Sequence, residues 1–167
     1  MHILAGSNKG RSIKTIPTKS YRPTQSKIRK SLFDILGPLE GVTFLDLFAG
    51  TGIIGFEAAS RGASQVTFVE THSKFIKLLY DNIQNFNDEI FTVIKKSAFS
   101  FLGNCGKFDI IFADPPYRSD ELSKLVKLSL EQVNDNGYFI LESEKGATLP
   151  KGSKVRVYGD TQLNIWA

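Results

Sequence analysis

From Thr43 onward the chain alternates short apolar runs with amphipathic stretches, which is the pattern of repeated β-α units. The apolar runs predict strands at Thr43–Leu47, Gln65–Val69, Ile90–Lys95, Phe108–Ala113 and Tyr138–Glu142. Apolar residues at helical spacing predict helices at Ile53–Arg61, Ser73–Phe86, Ala98–Leu102 and Ser119–Val133 between them. Such units build a mostly parallel sheet with helices on both faces. The tail changes character: Lys154–Tyr158 and Gln162–Trp166 flank Gly159-Asp160 and predict a terminal hairpin, adding antiparallel strands to the sheet edge. Before Gly41, the stretch 3–17 is irregular or a short hairpin turning at Gly6 and Gly10. A helix follows, with Thr24 as N-cap, an apolar face of Ile28, Leu32, Phe33, Ile35 and Leu36, and Gly37-Pro38 as its stop. Ligands of such sheets bind beyond the carboxyl ends of the strands, and candidate chemistry belongs there.

At 167 residues the chain fits one domain, divided here into a 1–40 extension and a 41–167 core. Charge is segregated between the two. Lys9, Arg11, Lys14, Lys19, Arg22, Lys27, Arg29 and Lys30 precede the first acidic residue, Asp34, whereas the rest of the chain carries 13 basic and 17 acidic residues. A basic arm of this kind suits a polyanion, because Lys and Arg displace counterions from phosphates. Cys105 is the single cysteine and cannot form an internal disulfide, which points to a reducing cytoplasm. No apolar run approaches the roughly 18 residues of a membrane span. His2 and His72 lie in no metal-ligand pattern, and a metal-free monomer is expected.

After the first predicted strand, Gly50, Gly52 and Gly55 match G-x-G-x-x-G, and Glu70 ends the second strand 20 residues after Gly50. This is the dinucleotide fingerprint, so a nicotinamide dehydrogenase is a serious reading. Asp46 argues the other way. Its carboxylate would repel a pyrophosphate, whereas it suits the amino group of a cationic, methionine-type cofactor. The chain also leaves little sequence for a dehydrogenase's substrate domain.

The fourth predicted strand runs into Asp114-Pro115-Pro116-Tyr117. Two prolines fix φ and offer no N–H, so the loop is stiff and rich in acceptors. Asp114 and the Pro115 carbonyl can both accept from one planar amino group, and Tyr117 can stack on the base that carries it, at about 1–3 kcal/mol. Aiming and polarising an exocyclic amine suits methyl transfer to nitrogen, with charge developing on nitrogen stabilised by Asp114. The bland alternative is an Asp-Pro turn capping the next helix.

With both motifs in hand, the chain resembles the class I methyltransferase fold, a Rossmann-like α/β architecture whose sheet has seven strands. More narrowly it resembles the RsmD-type family of 16S rRNA guanine-N2 methyltransferases. The likeness spans Ile3-Leu4-Ala5-Gly6, Lys9-Gly10-Arg11, Arg22-Pro23-Thr24, Leu32-Phe33-Asp34, Leu45-Asp46-Leu47-Phe48-Ala49-Gly50-Thr51-Gly52, Gly55-Phe56-Glu57-Ala58, Glu70 and Asp114-Pro115-Pro116-Tyr117. It implies S-adenosyl-L-methionine as cofactor, with Asp46, Phe48, Gly50 and Gly52 at the methionine part and Glu70 at the ribose. It places Ser97 and Ala98 at the adenine; Ser97 departs from the family's usual Asp or Asn. Asp114, Pro115 and Tyr117 would be catalytic, and Lys9, Arg11, Arg22 and Arg29 would contact phosphates. The implied partner is 16S rRNA, presented on an assembling small subunit with the target guanine unstacked. A DNA amino group, a protein glutamine, and a non-catalytic RNA-binding module are the other readings. DNA enzymes usually carry a recognition insertion, and glutamine enzymes usually show Asn before the two prolines.

Overall fold

The computed structural model describes residues 1–16, 26–86, 88–116 and 121–167. Its elements run α1 (Ser26–Leu36), β1 (Thr43–Leu47), α2 (Ile53–Ser60), β2 (Gln65–Glu70), α3 (Ser73–Ile83), β3 (Phe91–Lys95), α4 (Ala98–Leu102), β4 (Phe108–Ala113), α5 (Leu122–Glu131), β5 (Val133–Glu144), β6 (Lys154–Tyr158) and β7 (Thr161–Trp166). The strands form one seven-stranded sheet in the order β3-β2-β1-β4-β5-β7-β6. Strands β1 to β5 are parallel, and β7 is antiparallel to both β5 and β6. The terminal hairpin therefore inserts its second strand next to β5 and leaves β6 at the edge, so β7 alone runs against the sheet.

Period-two alternation sorts the strand residues into two cores. Phe44, Phe112, Ile140, Leu163 and Ile165 face α1, α2 and α3, where Ile28, Leu32, Phe33, Ile53, Phe56 and Leu79 meet them. Leu45, Leu47, Ile111, Ala113, Phe139, Leu141 and Trp166 face α4 and α5, meeting Ala98, Leu102, Leu125 and Val126. Burial on both faces explains why β1 and β4 read as continuous apolar runs.

Three boundaries differ from the periodicity by three residues or more. α3 stops at Ile83 because the Asn85 and Phe86 amides bond to the Asn82 and Ile83 carbonyls, tightening its end to i→i+3 geometry. β5 starts at Val133 rather than Tyr138. Val133 pairs with Phe108, and a register shift then realigns the strands so that Ile110 meets Tyr138. Asn136 at φ 65° absorbs that irregularity. α5 begins at Leu122, while Ser119 of the predicted helix, together with Thr24 of the predicted cap, lies outside the described residues.

The N-terminal stretch is a hairpin. His2 bridges Ser12, and Ile3 exchanges backbone bonds with Gly10 and Arg11. Ile3 and Ile13 bury their side chains in the core shared with α1 to α3. Among the described residues no helix is long and apolar enough to cross a membrane.

Candidate active site

Strand order reverses at β1, whose neighbours are β2 and β4, so a crevice opens beyond the carboxyl ends of β1 and β4. The glycine loop leaves β1 on one side of it and Asp114 leaves β4 on the other. Phe48, Gly50 and Gly52 all take left-handed backbone at φ 59°, 52° and 78°. For Phe48, a non-glycine residue, that conformation costs on the order of 1 kcal/mol, and such strain concentrates at functional sites. Gly52 also has no room for a side chain, since a Cβ there would lie 2.5 Å from Leu79 Cδ2. At Gly55 a Cβ would lie 2.3 Å from Phe68 Cε1. The third glycine therefore serves packing of α2 on the sheet.

Asp46 is buried at the end of β1, and its Oδ2 accepts from the Gly55 N–H at 3.0 Å, in the first turn of α2. Burial pushes its pKa well above the usual carboxylate value; the Gly55 bond opposes the rise and the Glu70 charge adds to it. Glu70 ends β2 and binds the loop itself. Its Oε2 accepts from the Gly50 N–H at 2.9 Å, and its Oε1 accepts from the Thr71 and His72 N–H groups at 2.7 and 2.9 Å. Glu70 thus holds the glycine loop against β2, a role the fingerprint did not suggest.

Asp114 follows β4 directly and is half-buried, Pro115 is buried and Pro116 exposed. Burial, then the charges of Glu142 and Asp46, push the Asp114 carboxyl well above its ordinary pKa. Glu142 is a buried carboxylate on β5 that the sequence reading did not single out. Phe112 pairs with both Asp46 and Ile140, so Glu142, two residues beyond Ile140, shares the sheet face of Asp46. The available signal was the rule that found Glu70: a carboxylate at the carboxyl end of a parallel strand.

Ser97 is exposed at the start of α4. It N-caps α4, with its Oγ accepting from the Ser100 N–H at 3.2 Å, while Ala98 is buried. Lys9 and Arg11 are exposed on the hairpin, and the Arg11 guanidinium lies 5.1 Å from the centre of the Phe86 ring. Arg29 corrects the sequence expectation. It is 1% exposed, its Nη2 donates to the His2 carbonyl at 2.7 Å, and its Nε lies 3.6 Å from Glu57 Oε2. A guanidinium enclosed in this way fixes the hairpin to α1 and is no phosphate contact. Arg22 and Tyr117 lie outside the described residues.

The donor set at this crevice fits a nucleoside cofactor carrying an ammonium group: a buried carboxylate at Asp46, a second at Glu70 twenty residues after Gly50, and a loop bent by three left-handed residues. Comparison with known proteins identifies the family. A family model described as "Conserved hypothetical protein 95" matches residues 1–166. Ribosomal RNA small subunit methyltransferase D of Haemophilus influenzae is 33% identical over 157 residues, covering 89% of this chain and 81% of that protein. The protein of the same name from Escherichia coli K12 is 32% identical over 145 residues, covering 86% and 71%. A solved structure of a hypothetical protein from Thermus thermophilus superposes with a TM-score of 0.87 at 32% identity, covering 99% of this chain and 98% of that one. The fold is that of the class I methyltransferases, and the chain belongs to the RsmD-type methyltransferase family.

Proposed function

We propose that this enzyme transfers a methyl group from S-adenosyl-L-methionine to the exocyclic N2 of a guanine in small-subunit rRNA. The observation that carries the reading is the position of Asp114-Pro115. It directly follows β4, across the strand-order reversal from the loop that Asp46 and Glu70 anchor. The names of the relatives, methyltransferases of small-subunit rRNA, support the substrate class.

Bound at the glycine loop, S-adenosylmethionine supplies an electrophilic methyl on a sulfonium. Asp46 suits its ammonium, the Glu70 carboxylate retains lone pairs for ribose hydroxyls, and at the adenine position the Ser97 hydroxyl, whose oxygen caps α4, keeps its O–H to donate beside the Ala98 N–H. Asp114 and the Pro115 carbonyl each accept one N–H of the guanine amine, which raises electron density on nitrogen and aims its lone pair. The N–H donated to Asp114 favours its ionised form, opposing the burial that raises its pKa. With a methyl delivered to it, the nitrogen would become cationic, and Asp114 would stabilise that charge and take the proton it sheds. Tyr117 is placed by sequence to stack on the flipped base, and Lys9, Arg11 and Arg22 to hold phosphates. Cytoplasmic rRNA within an assembling subunit fits this charge distribution.

The test is to incubate the protein with methyl-labelled S-adenosylmethionine and small ribosomal subunits from cells lacking the enzyme. Label in the rRNA fraction that is lost in Asp114→Ala is the expected result. Label confined to ribosomal protein, or transfer that survives Asp114→Ala, overturns the proposal.

A further inference from the structure

Resting on the RNA-methylation reading, a second feature lies behind the glycine loop. An open cleft of about 540 Å³ lies between the N-terminal hairpin and the end of α3, lined by Arg11, Ser12, Lys14 and Asn85. All four are exposed, and among the described residues no carboxylate lines the cleft. Arg11 is steadied by its stacking on Phe86. Lys14 is fixed at the backbone: its N–H donates to Asn82 Oδ1 at 2.9 Å, and its carbonyl accepts from Asn82 Nδ2 at 3.2 Å. The Asn82 amide thus pairs with Lys14 as a neighbouring strand would.

Asn82 is fully buried, and the same Nδ2 reaches the Thr51 carbonyl at 3.5 Å. Thr51 stands between Gly50 and Gly52 in the cofactor loop and is itself fully buried. One turn earlier on α3, Leu79 packs where a Gly52 side chain would be. One buried amide therefore touches both the backbone that carries Lys14 and the backbone that bends around the cofactor. Its two N–H donors are divided between those two carbonyls, so a shift of either segment changes the bonding of the other.

We propose that the Arg11–Lys14–Asn85 cleft is a subsite for a phosphodiester of the substrate RNA, and that Asn82 is a positioning residue coupling it to the cofactor loop. RNA seated in the cleft holds Lys14, Lys14 holds Asn82, and Asn82 holds Thr51 in the cofactor-binding shape. By linkage, cofactor bound at the loop tightens RNA to the same degree. Asn85 supplies a neutral donor for a phosphate oxygen between the two cations, which distinguishes the cleft from a diffuse basic surface.

The experiment measures the affinity of the full chain for a labelled 16S rRNA transcript at several salt concentrations, with and without S-adenosylhomocysteine. For the wild type, S-adenosylhomocysteine tightens RNA by about fivefold. Lys14→Ala lowers the slope of log affinity against log salt by about one, and Asn85→Ala weakens binding without changing the slope. Asn82→Ala binds each ligand singly with lower affinity and brings the S-adenosylhomocysteine effect to a ratio of about one. Should Asn82→Ala fail to fold, Asn82→Asp retains acceptance from the Lys14 N–H, loses both donations, and serves the same purpose. Wild-type affinity and slope in both Lys14→Ala and Asn85→Ala overturn the subsite. An S-adenosylhomocysteine effect absent from the wild type, or intact in the Asn82 variant, overturns the coupling. A wild-type chain that binds no RNA sinks the RNA reading as well, so the two failures are told apart.

Discussion

Glu57 offers the sharpest test of how the N-terminal hairpin is held on the sheet and its helices. It is fully buried on α2, the helix that leaves the cofactor loop. Its Oε2 accepts from the Leu4 N–H at 2.8 Å, and its Oε1 accepts from the Ala5 N–H at 3.0 Å and from Arg61 Nε at 2.9 Å. Arg29, equally enclosed, lies 3.6 Å away. Glu57→Ala deletes the carboxylate but leaves the Arg29 guanidinium and two hairpin amides inside. Stranding one partner of a buried ion pair costs about 3–5 kcal/mol. A chain of this size loses about 2–4 °C of melting temperature per kcal/mol. The expected loss is therefore roughly 6–20 °C in a thermal melt, with the Leu4 and Ala5 amides losing hydrogen-exchange protection. Pairing Glu57→Gln with Arg29→Met removes both charges at nearly constant volume and should recover more than half of that loss, giving a coupling energy of about 1–3 kcal/mol in the double-mutant cycle. A Glu57→Ala melt within 2 °C of wild type, roughly what 1 kcal/mol produces, would refute the clamp. So would unchanged protection at Leu4 and Ala5.

Asp114→Asn tests the raised carboxyl. Because the folded pKa lies above the unfolded one, its contribution to stability is full at acid pH and is lost as pH rises through the folded pKa, so the variant should melt higher at pH 7.5 by about 2–4 °C. That difference should shrink toward acid pH, while single-turnover methyl transfer falls about 10²–10³-fold. If ionised Asp114 accepts the amine, wild-type transfer loses rate on acidification at a pH above the ordinary carboxylate range; a profile flat down to about pH 4 contradicts this. Asp109 behaves oppositely. The Thr43 N–H, aided by Thr43 Oγ1 and Asn134, lowers its pKa against burial, so it stabilises the fold above about pH 4 and that benefit is lost as pH falls through the folded pKa; denaturant melts of Asp109→Asn against pH should show the gap closing. Gly55→Ala should lose about 1–3 kcal/mol in a denaturant melt, because the new Cβ meets the Phe68 ring of the core.

What was legible in the sequence is what local pattern decides. β1, β4 and α4 start and stop where their apolar runs do, because each is enclosed on the sheet or against it. The site motifs were legible because they sit at the ends of those strands. Tertiary partners decided the rest. Arg29 looked like one more cation in a basic arm, yet it shares the helix stripe of Leu32, Phe33 and Leu36 at i, i+3, i+4 and i+7, which was a usable warning of burial. Its partner Glu57 is likewise the only charge in α2. Asn82 gave no comparable sign, since a buried amide bridging two distant backbones is visible only once Lys14 and Thr51 are brought beside α3. The first half of β5 is not legible in the sequence because it pairs through an irregularity that breaks the alternation at Asn136.

The proposed reaction places the methyl on one atom of one base. Small subunits methylated by this protein with labelled S-adenosylmethionine, digested to nucleosides and resolved by mass spectrometry, report that atom directly. The expected result is label in N2-methylguanosine from the small-subunit rRNA, in one position per subunit. Label in N6-methyladenosine or N4-methylcytidine would contradict the guanine assignment, and label in no nucleoside at all would contradict the account of the Asp114-Pro115 site.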